Sequence, residues 1–322
     1  LQDWIGSIDI NSLYPSVIRA LNMAPETIVG QLRQTITEEE IERRMTMEKK
    51  SFAGAWEGEF GSFEYQAVMR KDRAQSITID WETGESNILS AAEVYELIFN
   101  SDQPWFLSAN GTIFTHEFAG VIPGLLERWY AERKELQAKK KKAIDANNSV
   151  ETAFWDKRQL VKKINLNSLY GAILNPGCRF FDTRIGQSTT LTGRCITKHM
   201  ASKTNEIICG EYDYRGKSVI YGDTDSVYFS AYQPLKTEID AGNIPWSKES
   251  VTQLYDSVAE EVNKSFPKFM LDAFNCPSTY GKLIAAGREA VGTKGLFITK
   301  KRYAMKIYDL EGEAVDKIKA MG

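Results

Sequence analysis

The pattern of hydrophobic and polar positions at the start of the chain predicts a strand followed by a helix. Residues 4–10 are mostly apolar and predict a short buried strand, and apolar residues recur at helical spacing over 12–21. Asp9 therefore falls at the end of a strand, where ligands commonly bind to open sheets.

Apolar residues that recur every three or four positions predict a pair of long helices in the middle of the chain. Helices are expected over 121–146 and 150–170, and the polar cluster 147–149 between them predicts a short turn, so the two should form an antiparallel hairpin. Further helices are expected at 38–50, 91–99, 187–209 and 248–274.

Short apolar runs separated by turn residues predict strands elsewhere. Strands at 218–221 and 226–229 bracket Gly222-Asp223-Thr224-Asp225, which predicts a hairpin with two carboxylates at its tip, and Asn110-Gly111 predicts a second hairpin turn. The tail is expected to form a meander with strands at 282–286, 295–299 and 302–309. The stretch 33–105, which includes a glycine-rich aromatic segment, has no functional interpretation.

Composition narrows the class of protein. The chain has 322 residues, of which 43% are apolar and 26% charged, with a net charge of −3, so a disordered tail, a collagen-like fibre and a membrane-spanning protein are excluded. Four separated cysteines without a C-x-x-C pair, and only two histidines, favour reduced buried thiols over a zinc knuckle or a disulfide framework. No signal peptide or membrane anchor is visible, so a soluble cytoplasmic protein is expected.

Basic residues are concentrated in two segments despite the acidic balance of the whole chain. Residues 127–163 contain eleven Lys or Arg against six Asp or Glu, and residues 288–306 contain six against Glu289 alone. Local positive charge of this kind is typical of contacts with anionic partners.

Three carboxylates stand out because they fall at the ends or turns of apolar strands. Asp9, Asp223 and Asp225 would each need a cation or a hydrogen-bond donor there to offset desolvation. Carboxylates together with substrate phosphates are ligands that Mg²⁺ prefers, and two such ions roughly 4 Å apart can hold the attacking and leaving oxygens of phosphoryl transfer. The alternative is that Asp223-Thr224-Asp225 is only a polar hairpin turn.

Four segments resemble the motifs of family B DNA polymerases, in the order in which that family has them. The segments that resemble motifs A, B and C and the K-K-R-Y segment are Asp9-Ile-Asn-Ser-Leu-Tyr-Pro-Ser16, Lys163-Ile-Asn-Leu-Asn-Ser-Leu-Tyr-Gly171, Tyr221-Gly-Asp-Thr-Asp-Ser226 and Lys300-Lys-Arg-Tyr303. The segments 25–28 and 303–312 are most similar to the replicative polymerases of large tailed bacteriophages.

The resemblance implies an α/β (α+β) fold, a polymerase palm with a mainly antiparallel sheet backed by helices and a helical-hairpin fingers insertion. Residues 1–119 and 173–322 would form the palm and residues 120–172 the fingers. The exonuclease and thumb domains of the family are expected to be absent, and a strand begins almost at the first residue, which is not Met. A split gene, a truncated reading frame and a trimmed piece of a longer polypeptide all remain open.

The resemblance also implies the catalytic residues. Asp9 and Asp225 would bind two Mg²⁺ ions, with Mn²⁺ as a substitute, the carbonyl of Ile10 would be a further ligand, and Asp223 would have a lesser catalytic role. The primer 3′-oxygen would attack the α-phosphorus of a dNTP and release pyrophosphate.

Further residues would bind the nucleotide and the DNA. Tyr14, after Leu13, would pack against the nucleotide sugar and exclude a 2′-hydroxyl; the plain alternative is a half-buried aromatic before a proline. The other residues implied are Arg133, Lys163 and Asn167 for the triphosphate, Tyr170 beneath the new base pair, and Lys301, Arg302 and Tyr303 for the primer end.

The expected triphosphate site departs from the family at one position. The second cation that commonly follows the arginine is replaced by Gln137, so binding would rely on Arg133 and Lys163, or on Lys139 or Lys140. The run 139–142 could otherwise be a solvated helix face.

The function expected is template-directed DNA synthesis in viral replication, with primer-template DNA and dNTP as partners. One rival is a catalytically incomplete module that needs separately encoded exonuclease or thumb polypeptides, and a sliding clamp is a further partner to consider. A weaker rival, an RNA-making palm enzyme, is disfavoured by Tyr14. No membrane contact is expected, and the location would be the host-cell cytoplasm.

Overall fold

A computed structural model describes residues 1–34, 37–49, 74 and 76–322. The strands are β1 (Gln2–Ile10), β2 (Ile28–Gln34), β3 (Ser76–Trp81), β4 (Ser86–Ser90), β5 (Trp105–Leu107), β6 (Thr112–Thr115), β7 (Val219–Asp223), β8 (Ser226–Ser230), β9 (Ala286–Thr299), β10 (Arg302–Leu310) and β11 (Glu313–Met321). The helices are α1 (Leu13–Ala20), α2 (Thr37–Thr46), α3 (Ala91–Phe99), α4 (Val121–Asp145), α5 (Ser149–Ile173), α6 (Thr183–Cys209), α7 (Lys236–Asp240), α8 (Lys248–Phe274) and α9 (Ser278–Gly281).

The chain divides into two compact units. The first contains residues 1–13, 193–269 and 284–322, and the second contains residues 14–192 and 270–283. Each unit is built on its own sheet, and all strand pairs in the described residues are antiparallel. The expected α/β class, with antiparallel sheet and helices, is confirmed.

The first unit has a six-stranded sheet in the order β11-β10-β9-β1-β8-β7, with β1 near its centre. Side chains alternate between the two faces of a strand, so Gly6, Ile8 and Ile10 share one face of β1 while Ser7 and Asp9 share the other. A Cβ on Gly6 would lie 2.5 Å from the ring of Tyr255 in α8, so only glycine allows this close approach of helix and sheet. The helix therefore covers one face and leaves the face of Asp9 for other contacts.

The second unit has a five-stranded sheet in the order β4-β3-β2-β6-β5. Helix α3 packs Val94 and Ile98 against the sheet residues Leu32 and Ile79. The predicted turn joins β5 to β6, and Gly111 adopts a φ of +82° there. This left-handed conformation favours glycine and explains the turn.

Helices α4 and α5 form the predicted hairpin. They pack along each other and are joined by a tight turn in which Asn147 has a φ of +52° and the side chain of Asn148 accepts a hydrogen bond from the Glu151 N–H at 3.1 Å. Such an N-cap satisfies one of the free N–H groups at the start of a helix. At the other end of α4, the Arg19 guanidinium binds Glu127 and lies 4.5 Å from the ring centre of Tyr130.

The structure corrects the expected bounds and number of strands in the tail. Residues 282–286 and 295–299 do not form two strands, because Ala286–Thr299 is one continuous strand, and β11 was not predicted. A Cβ on Gly292 would meet the Lys306 carbonyl oxygen at 2.6 Å, and a Cβ on Gly295 would meet the Ile5 side chain at 2.1 Å. These glycines permit close packing inside a strand instead of ending it.

Smaller differences concern several other strands and helices and the burial of the cysteines. Strands β2 to β4 were not predicted, and the helix expected from 187 begins at Thr183. The helix expected over 38–50 ends at Thr46. The glycine-rich aromatic segment lies outside the described residues. Cys276 is buried as expected, whereas Cys178, Cys195 and Cys209 are only partly buried. No helix of the described ranges is long and apolar enough to cross a membrane.

Candidate active site

Strand pairing in the first unit brings Asp9 beside Asp225. Asp9 pairs with Ser226 across β1 and β8, and the N–H of Ile10 donates to the Asp225 carbonyl at 2.8 Å. Asp223 also pairs with Ser226 across the β7–β8 hairpin, so the two hairpin carboxylates stand at the end of the sheet where β1 ends. Asp9 and the hairpin aspartates come from two distant segments and are brought together by the antiparallel register.

The hairpin turn that bears Asp225 is held by a contact from α6. Thr224 has a φ of +48°, which is uncommon for a β-branched residue, and its carbonyl accepts a hydrogen bond from the Thr197 hydroxyl at 2.8 Å. The Ser226 hydroxyl donates to the Asp223 carbonyl at 3.2 Å. These bonds help to keep a strained turn in one conformation.

Asp9 and Asp225 lie in an environment that disfavours negative charge. Burial raises the pKa of Asp9 to about 7, with the charges of Asp225 and Glu289 adding to the effect of burial. Burial also raises the pKa of Asp225, and Asp223 and Glu289 contribute again. Since burial and repulsion act together, the pair is suited to a bound cation.

Asp9 and Asp225 are a donor set that could hold a divalent metal whose further ligands come from a bound molecule. In the described part of the chain, no group of three or more His, Cys, Asp or Glu side chains has metal-binding geometry. Mg²⁺ is often bound by one or two carboxylates plus substrate phosphates, and the pair Asp9 and Asp225 meets this requirement.

Asp9→Asn is expected to stabilise the metal-free protein at neutral and alkaline pH. Folding raises the pKa of Asp9 from 3.8 to about 7, so its contribution to stability is fully present below pH 3.8 and is lost as the pH rises through about 7. Asparagine is neutral throughout. Thermal unfolding in EDTA should give the variant a Tm a few degrees above wild type at about pH 8, with a smaller gap at about pH 5.

Asp316→Asn, at an exposed position on β11, controls for the change in net charge and should leave the Tm nearly unaltered at both pH values. A lower Tm for Asp9→Asn than for wild type at about pH 8 would show that burial does not destabilise the Asp9 carboxylate.

In the second unit, the structure brings Tyr14 and Tyr170 into contact. Their ring centres are 4.6 Å apart, and the Tyr170 hydroxyl donates to the Gly186 carbonyl at 3.5 Å. Burial raises the pKa of Tyr170, with the nearby Tyr14 adding to it. This contact joins Tyr14, near the start of α1, to the end of α5. Leu13, the last residue of the preceding segment of the first unit, is buried.

The residues expected to bind a triphosphate lie on the helical hairpin. Lys163 and Asn167 are exposed on α5, one turn apart, and Tyr170 follows a further turn along. Arg133 is half-buried on α4, and its Nε donates to the Gln159 side chain at 3.3 Å. The two cations expected to bind the triphosphate therefore lie on different helices of the hairpin, Arg133 on α4 and Lys163 on α5.

The four lysines at 139–142 on α4 differ in their contacts. Lys140 forms an ion pair with Asp156 at 2.6 Å, and the Lys139 ammonium lies 5.0 Å from the ring centre of Trp155. Lys141 and Lys142 are exposed. Two of the four lysines thus brace α4 against α5, and the other two fit a solvated face.

The basic turn between β9 and β10 is hydrogen-bonded to β7, the strand that ends at Asp223. The N–H of Lys301, whose φ is +61°, donates to the Tyr221 hydroxyl at 2.8 Å. Lys301 and Arg302 are exposed, but Tyr303 is only 6% exposed and shares a hydrogen bond of 2.7 Å with the Tyr228 hydroxyl. Lys301 and Arg302 are therefore available to a ligand, while Tyr303 packs inside the unit.

Two polar residues beside the aspartates were missed by the sequence reasoning. Glu289 affects both catalytic candidates electrostatically, and Lys319 forms an ion pair with it at 2.8 Å. In the sequence, Glu289 stands out only as the single acidic residue of the basic segment 288–306. Its position near Asp9 follows from the pairing of β9 with β1, which the sequence does not reveal.

Comparison with known proteins gives the family to which the chain belongs. A family model described as DNA polymerase family B matches residues 2–321, so the chain belongs to that family. The DNA-directed DNA polymerases of Escherichia phage RB69 and Enterobacteria phage T4 are each 25% identical to it, over 99% of the chain and 36% of either polymerase. A DNA polymerase of Paramecium bursaria Chlorella virus NY2A is 29% identical over 69% of the chain and 18% of that protein.

These matches confirm the resemblance to family B polymerases of the phage type. The chain spans about a third of the length of the two phage polymerases.

Proposed function

We propose that the chain catalyses template-directed DNA synthesis in phage replication, by transfer of a nucleotide from a dNTP to a primer 3′-hydroxyl with release of pyrophosphate. The observation that carries the proposal is the pairing of Asp9 with the Asp225 turn in a cluster where burial and like charge oppose ionisation. The partners are primer-template DNA and dNTP, and the place of action is the host-cell cytoplasm.

The carboxylates of Asp9 and Asp225, with the carbonyl of Ile10, would hold two Mg²⁺ ions, which Mn²⁺ could replace. A metal bound there would supply positive charge that lowers the pKa of the primer hydroxyl and neutralises pyrophosphate. Asp223, hydrogen-bonded through its side chain to the Thr224 hydroxyl at 3.2 Å, would shape the turn and act less directly.

The remaining residues would orient the substrates. Arg133 and Lys163 offer positive charge to a triphosphate, and the amide of Asn167 offers a directional hydrogen bond. The contact with Tyr170 would hold Tyr14 as a wall against the 2′ position of the sugar. Residues 1–119 and 173–322 would then serve as palm and residues 120–172 as fingers.

DNA contacts are proposed for the exposed part of the basic turn. Lys301 and Arg302 would hold the primer backbone without reading its sequence, so salt should weaken the contact. Tyr303 would act by keeping the turn in place through the aromatic cluster with Tyr228 and Phe297, whose ring centres lie 5.1 and 5.5 Å from its own.

Single-nucleotide extension on four primed templates that differ only in the templating base tests this function. With Mg²⁺ and one dNTP at a time, we expect only the complementary nucleotide to be added to each primer. Addition that ignores the templating base would contradict the proposal. Extension that appears only after separately encoded exonuclease or thumb polypeptides are supplied would favour the incomplete-module alternative.

A further inference from the structure

The side chain of Glu289 is directed by an irregularity in the strand pairing. Ile8 pairs with Arg288 and Ser7 pairs with Ala290, so Glu289 is an extra residue of β9 with no partner position on β1. Such a bulge turns a side chain away from the regular alternation of a strand, and bulges often adjoin active sites. The side chain of Glu289 therefore has an orientation that a regular strand would not give it.

Hydrogen bonds fix the bulge in place. The Ser7 hydroxyl donates to Glu289 Oε2 at 3.3 Å and accepts from the Ala290 N–H at 3.1 Å, and the Glu289 carbonyl accepts from the Glu311 N–H at 2.7 Å. Ser7 lies on the same face of β1 as Asp9. Glu289 is thus held on the face that bears the proposed metal ligand.

Lys319 binds the other oxygen of this carboxylate. Its Nζ lies 2.8 Å from Glu289 Oε1, and the two side chains are only 26% and 27% exposed. A pair with this degree of burial is less screened by solvent than a surface ion pair. Each carboxylate oxygen of Glu289 therefore has a donor of its own, Lys319 or Ser7.

Glu289 and Lys319 have opposite electrostatic effects at the aspartates. The carboxylate of Glu289 adds negative charge that acts on both Asp9 and Asp225, and the ammonium of Lys319 adds positive charge that acts on Asp9. If Lys319 were removed, the cluster would gain net negative charge and Glu289 would lose its charged partner. Both changes increase the attraction of the site for a divalent cation, because affinity rises with ligand charge.

We propose that Lys319 is a positioning residue that holds Glu289 in an ion pair, so that the site offers two carboxylates to divalent cations instead of three. This inference rests on the proposed function, because it takes Asp9 and Asp225 as the metal ligands. The consequence is weak metal binding in the absence of nucleotide, which makes the site depend on the phosphates of the incoming dNTP.

Titration of the metal-free full chain with Mn²⁺, with free Mn²⁺ followed by electron paramagnetic resonance and without DNA or nucleotide, tests the inference. Lys319→Met should bind Mn²⁺ roughly fivefold more tightly than wild type, a size typical of coupling between contacting groups. Lys319→Arg keeps the ion pair and should bind like wild type. In the Glu289→Gln background the tightening caused by Lys319→Met should be lost.

Lys317→Met removes the same charge from an exposed position on the same strand and is the matched control. Equal effects of Lys317→Met and Lys319→Met, or tightening that persists with Gln at position 289, would overturn the inference. Far-UV circular dichroism and thermal unfolding establish that each variant is folded before titration.

Asp9→Asn separates failure of this inference from failure of the proposed function. Weaker Mn²⁺ binding by Asp9→Asn, with no special effect of Lys319→Met, would leave the metal site standing and reject only the role of Lys319. Binding by Asp9→Asn as tight as that of wild type would reject the metal site itself, and the inference with it.

Discussion

Asp225→Asn is expected to lower the rate of primer extension by about three orders of magnitude, because it removes one of two carboxylates proposed to hold the metal. Loss of a metal that stabilises developing charge costs several kcal/mol, and each 1.4 kcal/mol is about a factor of ten in rate. The backbone contact between Ile10 and the Asp225 carbonyl does not involve the replaced atoms, so the fold should persist. Single-turnover extension at saturating dNTP measures the effect on the chemical step.

Asp223→Asn provides the matched control for Asp225→Asn. It makes the same chemical change two residues away in the same hairpin, and its expected loss is much smaller because Asp223 is not assigned to the metal. Equal losses in the two variants would mean that the hairpin needs both charges in the same way, contrary to the different roles proposed for the two aspartates.

Tyr14→Ala is expected to raise the efficiency of ribonucleotide incorporation, relative to deoxyribonucleotide incorporation, by about 10- to 100-fold. The Tyr14 ring lies 4.6 Å from that of Tyr170, and this packing limits its freedom to move away from a 2′-hydroxyl. A steric wall of this kind discriminates by about 1–3 kcal/mol. The ratio of kcat/KM values for matched rNTP and dNTP substrates measures the change.

Tyr14→Phe keeps the ring and should retain the sugar selectivity of wild type. Unchanged selectivity in Tyr14→Ala would remove Tyr14 from the nucleotide site and leave it as the half-buried aromatic of the plain alternative. Increased ribonucleotide use by Tyr14→Phe as well would assign selectivity to the hydroxyl group instead of the ring.

Local patterns predicted the elements that bear the aspartates because those elements depend on short-range chemistry. The apolar run ending at Asp9 is a strand, and the predicted hairpin forms with Thr224 and Asp225 as its turn, while Gly222 and Asp223 extend strand β7. The helix pair around Asn147 and Asn148 follows from turn and capping preferences that act over a few residues.

Features that depend on strand pairing could not be predicted in the same way. Strand β9 is one continuous strand where the sequence predicted two shorter ones, and its Gly292 and Gly295 allow β10 and β1 to approach closely. Glu289 acts electrostatically on the aspartates from a bulge in β9, and Lys319 binds Glu289 from β11, a strand absent from the prediction. Tyr303 has a buried hydroxyl partner, Tyr228, in a strand distant in sequence.

Metal-dependent catalysis through Asp9 is tested most directly by extension of a primed template by the purified chain as a function of Mg²⁺ concentration, with wild type and Asp9→Asn measured side by side. We expect templated extension by wild type that rises with Mg²⁺ and vanishes in EDTA, and extension by Asp9→Asn that is reduced at every Mg²⁺ concentration. Equal extension by the two proteins, or extension by wild type that persists in EDTA, would show that the aspartate cluster is not a metal-dependent polymerase site.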